Sequence, residues 1–430
     1  MSNVASAMST SANGSIVRRN AVWLIAILVV IGLPFIFSGG VAIAVLNQMG
    51  IAIIFTLAYN MMLGQGGMLS FGHAVYFGLG GYFAIHFLNI MSSGSFVLPL
   101  IFVPIAGAVA GLAFGMLFGS FSTNRAGTVF AMISLGIGEM IASSSLIFTK
   151  FSGGEEGITA DRTEAMPLFG LNFAQEIQVY YMIGGWMILA TWLMYRFSRT
   201  PVGRLANAVR DNPERAEFVG YSQKHVRFMS FAISGMFAGV AGALFAVNYE
   251  IVTEETVNAL TSGVVLLQAY IGGIGLFFGP IVGAVVFTLL QTLLSNYTEI
   301  WALYVGIVFV ATVMYAPFGL SGLIAMHVPV LQAGRLGSLL MPYVKIGVPA
   351  VVCGLGLIGL MELFHFTGDR AVGESEKELF GYVFNVDTAT PWVLFGVLMV
   401  GGFILAKRMG PAVFEIWQEA TNFDNSGDNK

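Results

Sequence analysis

The sequence predicts an all-α polytopic membrane protein, and three observations predict it. Only 10% of the 430 residues are charged, while 57% are apolar. A soluble domain carries about 25% charged residues, so this chain lacks the charge to cover a water-facing surface. Apolar runs of roughly 20 residues, the length at which a helix crosses hydrocarbon, recur along the chain. The runs are continuous rather than alternating, which excludes a transmembrane barrel. Lipid cannot satisfy open backbone groups, so each run is expected to be a helix.

The runs fall near 21–38, 41–63, 68–91, 97–121, 127–149, 176–197, 229–250, 263–296, 300–318, 341–366 and 388–409. The 263–296 run is too long for one helix and is interrupted by Gly272-Gly273-Ile274-Gly275 and Gly279-Pro280. It reads as two segments forming a hairpin. Residues 1–20 are polar, end in Arg18-Arg19 and lead into an apolar run longer than a signal-peptide core. They are expected to be a cytoplasmic tail before a first spanning helix.

Loop charge gives the orientation. The 198–228 connection holds Arg199, Arg204, Arg210, Arg215, Lys224 and Arg227, which places it in the cytoplasm. The 151–175 loop, with Glu155, Glu156, Asp161 and Glu164 against Arg162, and the 251–262 loop, with Glu254 and Glu255, then lie outside. Arg335 and Lys407-Arg408 fall inside only if 263–296 enters the membrane and returns. Ten segments up to about residue 320 and two after it follow, with both termini cytoplasmic. The domains expected are a tail (1–20), a core (21–325), a two-helix extension (326–409) and an acidic cytoplasmic tail (410–430).

Composition also closes off other classes. A net charge of −4 carries no basic excess for a nucleic-acid partner. Cys353 is the one cysteine, so no disulfide forms within the chain, and five scattered histidines do not suit a structural zinc site.

The cytoplasmic connection contains a well-marked short helix. Asn212 suits its N-cap, Pro213 its first position, and Glu214 and Glu217 its positive dipole end, while Gly220 suits a left-handed stop. About seven residues cannot hold a helix in isolation, so the segment must dock on something. It is either a connector resting on its own bundle or a coupling element inserted into a partner.

The loop resembles the docking segment of permease subunits of ATP-binding-cassette importers, with its Glu-Ala-Ala-x-x-x-Gly pattern. Glu214, Ala216 and Gly220 match, and Arg215 departs from the usual alanine. Three further stretches carry the resemblance: Leu63–Tyr82, Asn124–Glu139 and Gly272–Gly283. In this order they are similar to the M-type permease subunit of branched-chain amino acid importers, a family that includes urea and short-chain amide permeases. The likeness covers roughly residues 20 to 325.

The resemblance implies a ten-segment permease bundle with two additional C-terminal helices, set in the cell inner membrane. It implies a homologous second permease, two cytoplasmic ATPases that bind the ATP, and a periplasmic substrate-binding protein. This chain then needs no cofactor of its own. Asp211, Asn212, Pro213, Glu214, Arg215, Ala216, Glu217 and Gly220 form the expected coupling element.

Gly64, Gly66 and Gly67 before Ser70, and Gly272, Gly273 and Gly275 before Pro280, break one early and one late segment. Such breaks free backbone groups for a polar substrate near the midplane, or let helices pack closely. Both readings stay open. Glu139 is the one charge in its span. It costs about 2.5–3.5 kcal/mol to insert, which the nine Leu, Ile, Phe and Val residues between Val129 and Phe148 roughly offset. Its carboxylate either lines a path or subunit interface, or is a hydrogen-bonded structural group. His73, placed about two turns into its helix, is either a pathway residue or a packing residue.

An ion-coupled secondary transporter calls for several intramembrane acids or bases, and a membrane-embedded enzyme for clustered His, Asp, Glu or Cys. Neither pattern occurs, and a passive channel leaves the docking helix without a role.

Overall fold

The computed structural model describes residues 21–94, 98–167, 172–316, 318–332, 334, 336–371 and 374–421. The 1–20 tail with Arg18-Arg19, Arg335, and the end of the acidic tail beyond residue 421 lie outside these. The chain divides into two compact units, one through Gly322 and one from Leu323.

The first unit is a helical bundle. Its elements are α1 (Ala21–Ile36), α2 (Gly40–Asn60), a π-helical turn (Met61–Gln65), α3 (Ala74–Ser92), α4 (Val103–Ser122), α5 (Gly127–Ile147) and the short α6 (Thr149–Ser152). Then come α7 (Glu176–Ser198), α8 (Pro201–Asp211), α9 (Pro213–Phe218), α10 (Gln223–Tyr249), α11 (Ala259–Gly272), α12 (Gly279–Ser295), α13 (Trp301–Tyr315) and the start of α14 (Gly319–Gln332). Eight described helices of the whole chain are long and apolar enough to cross a membrane, and α1, α11 and α12 are shorter apolar helices. The protein is an all-α, multi-pass membrane protein, and the 263–296 run is broken into α11 and α12.

The core forms around α10, which packs on α2, α3 and α4. Glycines set that contact. Gly107, Gly111 and Gly115 recur every four residues along one face of α4 and meet Ala232, Gly235 and Gly239 of α10. A methyl group on Gly235 would lie 2.9 Å from the Gly111 carbonyl oxygen, and one on Gly80 of α3 would lie 2.5 Å from the Gly239 backbone. Apolar side chains gain little by leaving lipid for protein, so this close approach, with its van der Waals contact, is what holds the helices. Tyr59, Tyr76, Tyr82, Phe130 and Phe231 fill the space around the seam.

Between α6 and α7, β1 (Ile158–Thr159) pairs antiparallel with β2 (Ile251–Val252), which follows α10. Arg162 fastens the loop by donating to the carbonyls of Phe173, Val247 and Asn248 at 3.0–3.3 Å, and Glu250 Oε1 accepts from the Arg162 backbone N–H at 2.9 Å. The hydroxyl and N–H of Thr163 donate to Asp161 and hold its carboxyl below the usual carboxylate range.

The second unit contains the rest of α14, α15 (Leu336–Asp369), a hairpin of β3 (Glu376–Leu379) with β4 (Tyr382–Asn385), and α16 (Ala389–Thr421). α15 and α16 pack where Gly356 and Gly402 let each helix approach the other's backbone. Thirty-four residues make about 50 Å of helix, so α15 outruns a hydrocarbon layer of about 30 Å. The β-hairpin was not expected from the sequence. Its signal is the Phe380-Gly381 turn, both residues at positive φ, between two short alternating runs.

Candidate functional site

Three irregular elements meet near one end of the bundle. The π-helical turn ends α2 and is followed by an irregular link, 66–73, before α3 begins. Irregular backbone survives at membrane depth only where protein satisfies it, and here side chains do so. Ser134 Oγ of α5 accepts from Phe71 N–H at 3.0 Å, Ser262 Oγ of α11 accepts from Ala74 N–H at 2.9 Å, and Tyr59 donates to the Ser70 carbonyl at 2.9 Å. Ser70 itself is buried, and its Oγ accepts from Gly72 N–H at 3.3 Å.

His73 therefore stands at the N-cap of α3 rather than two turns into a helix, because 68–73 is not helical. It is fully buried among the rings of Phe55, Tyr59 and Tyr76, with centroids 5.3–5.8 Å away. Ser234 gives its one proton to the Ala58 carbonyl at 2.6 Å, so at 3.3 Å its Oγ accepts from His73 Nε2–H. That assigns the tautomer and leaves Nδ1 as the acceptor.

The second irregular element is the α11–α12 break. Gly272, Gly273 and Pro280 are buried and Gly275 is exposed. Ser321 donates to the Gly272 carbonyl at 2.5 Å. A methyl group on Gly279 would lie 2.8 Å from Ser321 Oγ, and Gly64 of the π turn abuts the Ile274 carbonyl. The two sets of breaking glycines are thus brought together, and the Gly272 carbonyl is taken up by protein.

The third is the 198–228 connection. Asn212 Oδ1 caps α9 by accepting from Arg215 N–H at 2.9 Å. Gly220 ends it at φ +93°, a left-handed conformation that favours glycine. Ala216 is buried with Ala206, Val209 and Val226, which pins α9 to α8 and α10. Asp211, Glu214, Arg215 and Glu217 are exposed, and so are Phe218 (90%) and Val219 (69%). Sequence reasoning passed over α8 and the outward apolar pair. Thr200-Pro201, an N-cap followed by proline, was the available signal for α8, and Thr200 Oγ1 does accept from Gly203 N–H.

Glu139 lies past the middle of α5 and is exposed on the same face as Met132, Gly136, Met140 and Ser143. Among the described residues it makes no hydrogen bond or ion pair. A cavity of about 360 Å³ is lined by Gln48, Phe55, Tyr249, Glu255, Gln268 and Thr288, among others.

A multi-pass helical bundle with paired broken segments and a short capped helix in the connection between two of its spans has the architecture of a transport permease subunit. Comparison with known proteins makes this specific: residues 41–317 match the model of the branched-chain amino acid transport system permease component family, and the chain belongs to that family. It is a permease subunit of an ATP-binding-cassette importer. It is 30% identical to the high-affinity branched-chain amino acid transport system permease protein LivM of Escherichia coli, over 72% of this chain and 76% of that protein. It is 23% identical to the probable branched-chain amino acid transport permease protein LivH of Methanocaldococcus jannaschii, over 59% of this chain and 82% of that one. The fructose import permease protein FrcC of Rhizobium meliloti is 26% identical over 61% of this chain and 72% of its own length. No solved structure matches.

Proposed function

We propose that this chain is the membrane-spanning subunit of an importer for branched-chain amino acids in the cell inner membrane, with both termini cytoplasmic. It works with a homologous second permease, two cytoplasmic ATPases and a periplasmic binding protein, and catalyses no reaction itself. The observation that carries the reading is α9. A six-residue helix does not persist alone. This one is anchored from behind by Ala216 and presents Phe218 and Val219 to the cytoplasm, the form of a docking knob for an ATPase.

The exposed stripe of α5 supports a second permease. A carboxylate inside the membrane faces a water-filled path or another polypeptide, not lipid. Glu139, with Gly136 and Ser143 on its face, therefore belongs against the second subunit, where the path runs between the two. Gly64, Gly67, Ser70, His73, Gly272, Gly273, Gly275 and Pro280 belong to the inner gate, as the hinge of the broken segments rather than as ligands of the substrate. The longer match to LivM than to the fructose permease supports an amino acid cargo.

The test is purification of the tagged chain in mild detergent, followed by reconstitution of whatever accompanies it. Recovery of an ATPase and a second permease, with ATP-dependent uptake of leucine but not fructose, is the expected result. Recovery of the chain alone, driven by an ion gradient, would overturn it.

A further inference from the structure

Arg210 stands in the last turn of α8, three residues before α9 begins. Its guanidinium is held flat by Asp211, whose Oδ1 accepts from Nε at 2.9 Å and lies 2.8 Å from Nη2. The remaining Nη1 donates to the Gly64 carbonyl inside the π-helical turn, across 146 residues of chain. The stem is engaged as well. Gly67 turns at φ +66°, and a methyl group there would lie 2.7 Å from Arg210 Cγ. On its other side Gly64 abuts Ile274 in the α11–α12 break. One side chain thus joins the docking segment to the point where both broken membrane segments touch.

The choice of bond is informative. Arg210 lies on a surface where water is available to it, yet it reaches inward to a neutral carbonyl. A π turn is wider than an α turn by one residue. Tightening it draws the following chain along by about one residue's rise, roughly 1.5 Å. The chain that follows is the 66–73 link, which carries Ser70 and His73.

We propose that Arg210 is the strut of the transport cycle: movement of α9 is passed through the Arg210–Gly64 hydrogen bond to the π turn and the α11–α12 break. It is a positioning residue that touches no substrate. The inference rests on α9 being the ATPase-docking element.

The test uses the whole importer, reconstituted in liposomes with its ATPases and binding protein, carrying Arg210→Met. Two quantities are read: leucine imported per ATP hydrolysed, and hydrogen exchange of residues 61–68 with and without vanadate trapping. The expected result is an assembled complex that still hydrolyses ATP, imports at least fivefold less per ATP, and loses the trapping-dependent change in exchange. A purely structural bond would alter assembly or stability and leave both quantities unchanged, and that outcome overturns the strut. If Arg210→Met does not assemble, Gly67→Ala decides, because its methyl group displaces the Arg210 stem: a lowered import ratio supports the strut and an unchanged one removes it. Phe218→Asp tests the underlying reading separately. Unchanged ATPase recovery and transport in that variant would remove the docking role of α9, whatever Arg210 does.

Discussion

Thr56 of α2 donates a hydrogen bond to Gln268 of α11 at 2.6 Å, with both side chains buried. The bond joins the segment that ends in the π turn to the segment that ends in the second break. Gln268 also lines the cavity that Thr288 faces.

Thr56→Val removes the donor and leaves the Gln268 oxygen unpaired in the interior. Such a loss costs about 1–3 kcal/mol. The melting temperature in detergent is expected to fall, and Thr56→Val with Gln268→Leu to recover part of it. A double variant no better than the single one would mean that the bond contributes little.

Ser134→Ala strips the acceptor from Phe71 N–H in the irregular link. The expected cost is again about 1–3 kcal/mol, felt locally. Hydrogen exchange at 68–73 should accelerate before global unfolding does, and equal acceleration throughout the bundle would contradict this.

Gly239→Leu drives a side chain into the backbone of α4 at Gly107 and Gly111. No rotamer avoids a main chain, so the variant is expected to lose folding, read as aggregation on size-exclusion chromatography. Gly136→Leu on the open face of α5 has nothing within 4 Å and should leave the isolated chain monodisperse, while weakening recovery of the second permease.

The loop that carries Asp161 offers a pH prediction. Thr163 holds the Asp161 carboxyl below its ordinary range. A depressed acid stabilises the fold above its unfolded pKa of about 4 and loses that contribution as pH falls through the lower folded value. Protease resistance of the loop should therefore be flat down to about pH 4 and decline below it. Thr163→Val relieves most of that depression, so it should lower resistance above pH 4 and flatten the decline below it; an unchanged profile would show that Asp161 does not control the loop.

Much of this was legible in the sequence because lipid imposes a simple length rule. The α11–α12 break was readable from its glycines. The Asn212-Pro213 start and Gly220 stop of α9 were readable from local backbone preference. The position of His73 was not, because continuous apolarity conceals a stretch whose backbone is satisfied by Ser134 and Ser262, from distant helices. Gly64, Gly66 and Gly67 marked a break there, but nothing local said that it would be wound as a π turn. The Arg210–Gly64 bond was invisible for a related reason: loop arginines read as orientation signals, and nothing in the order of residues says which one turns inward.

The glycine seam between α4 and α10 sets a boundary on how the protein moves. Helices that meet backbone to backbone have no side chains to rearrange, and a slip of one residue would drive a bulkier group into a carbonyl. Such a pair has a single setting. In the proposed cycle it is the fixed post against which α5, the 66–73 link and the α11–α12 hairpin would open and close.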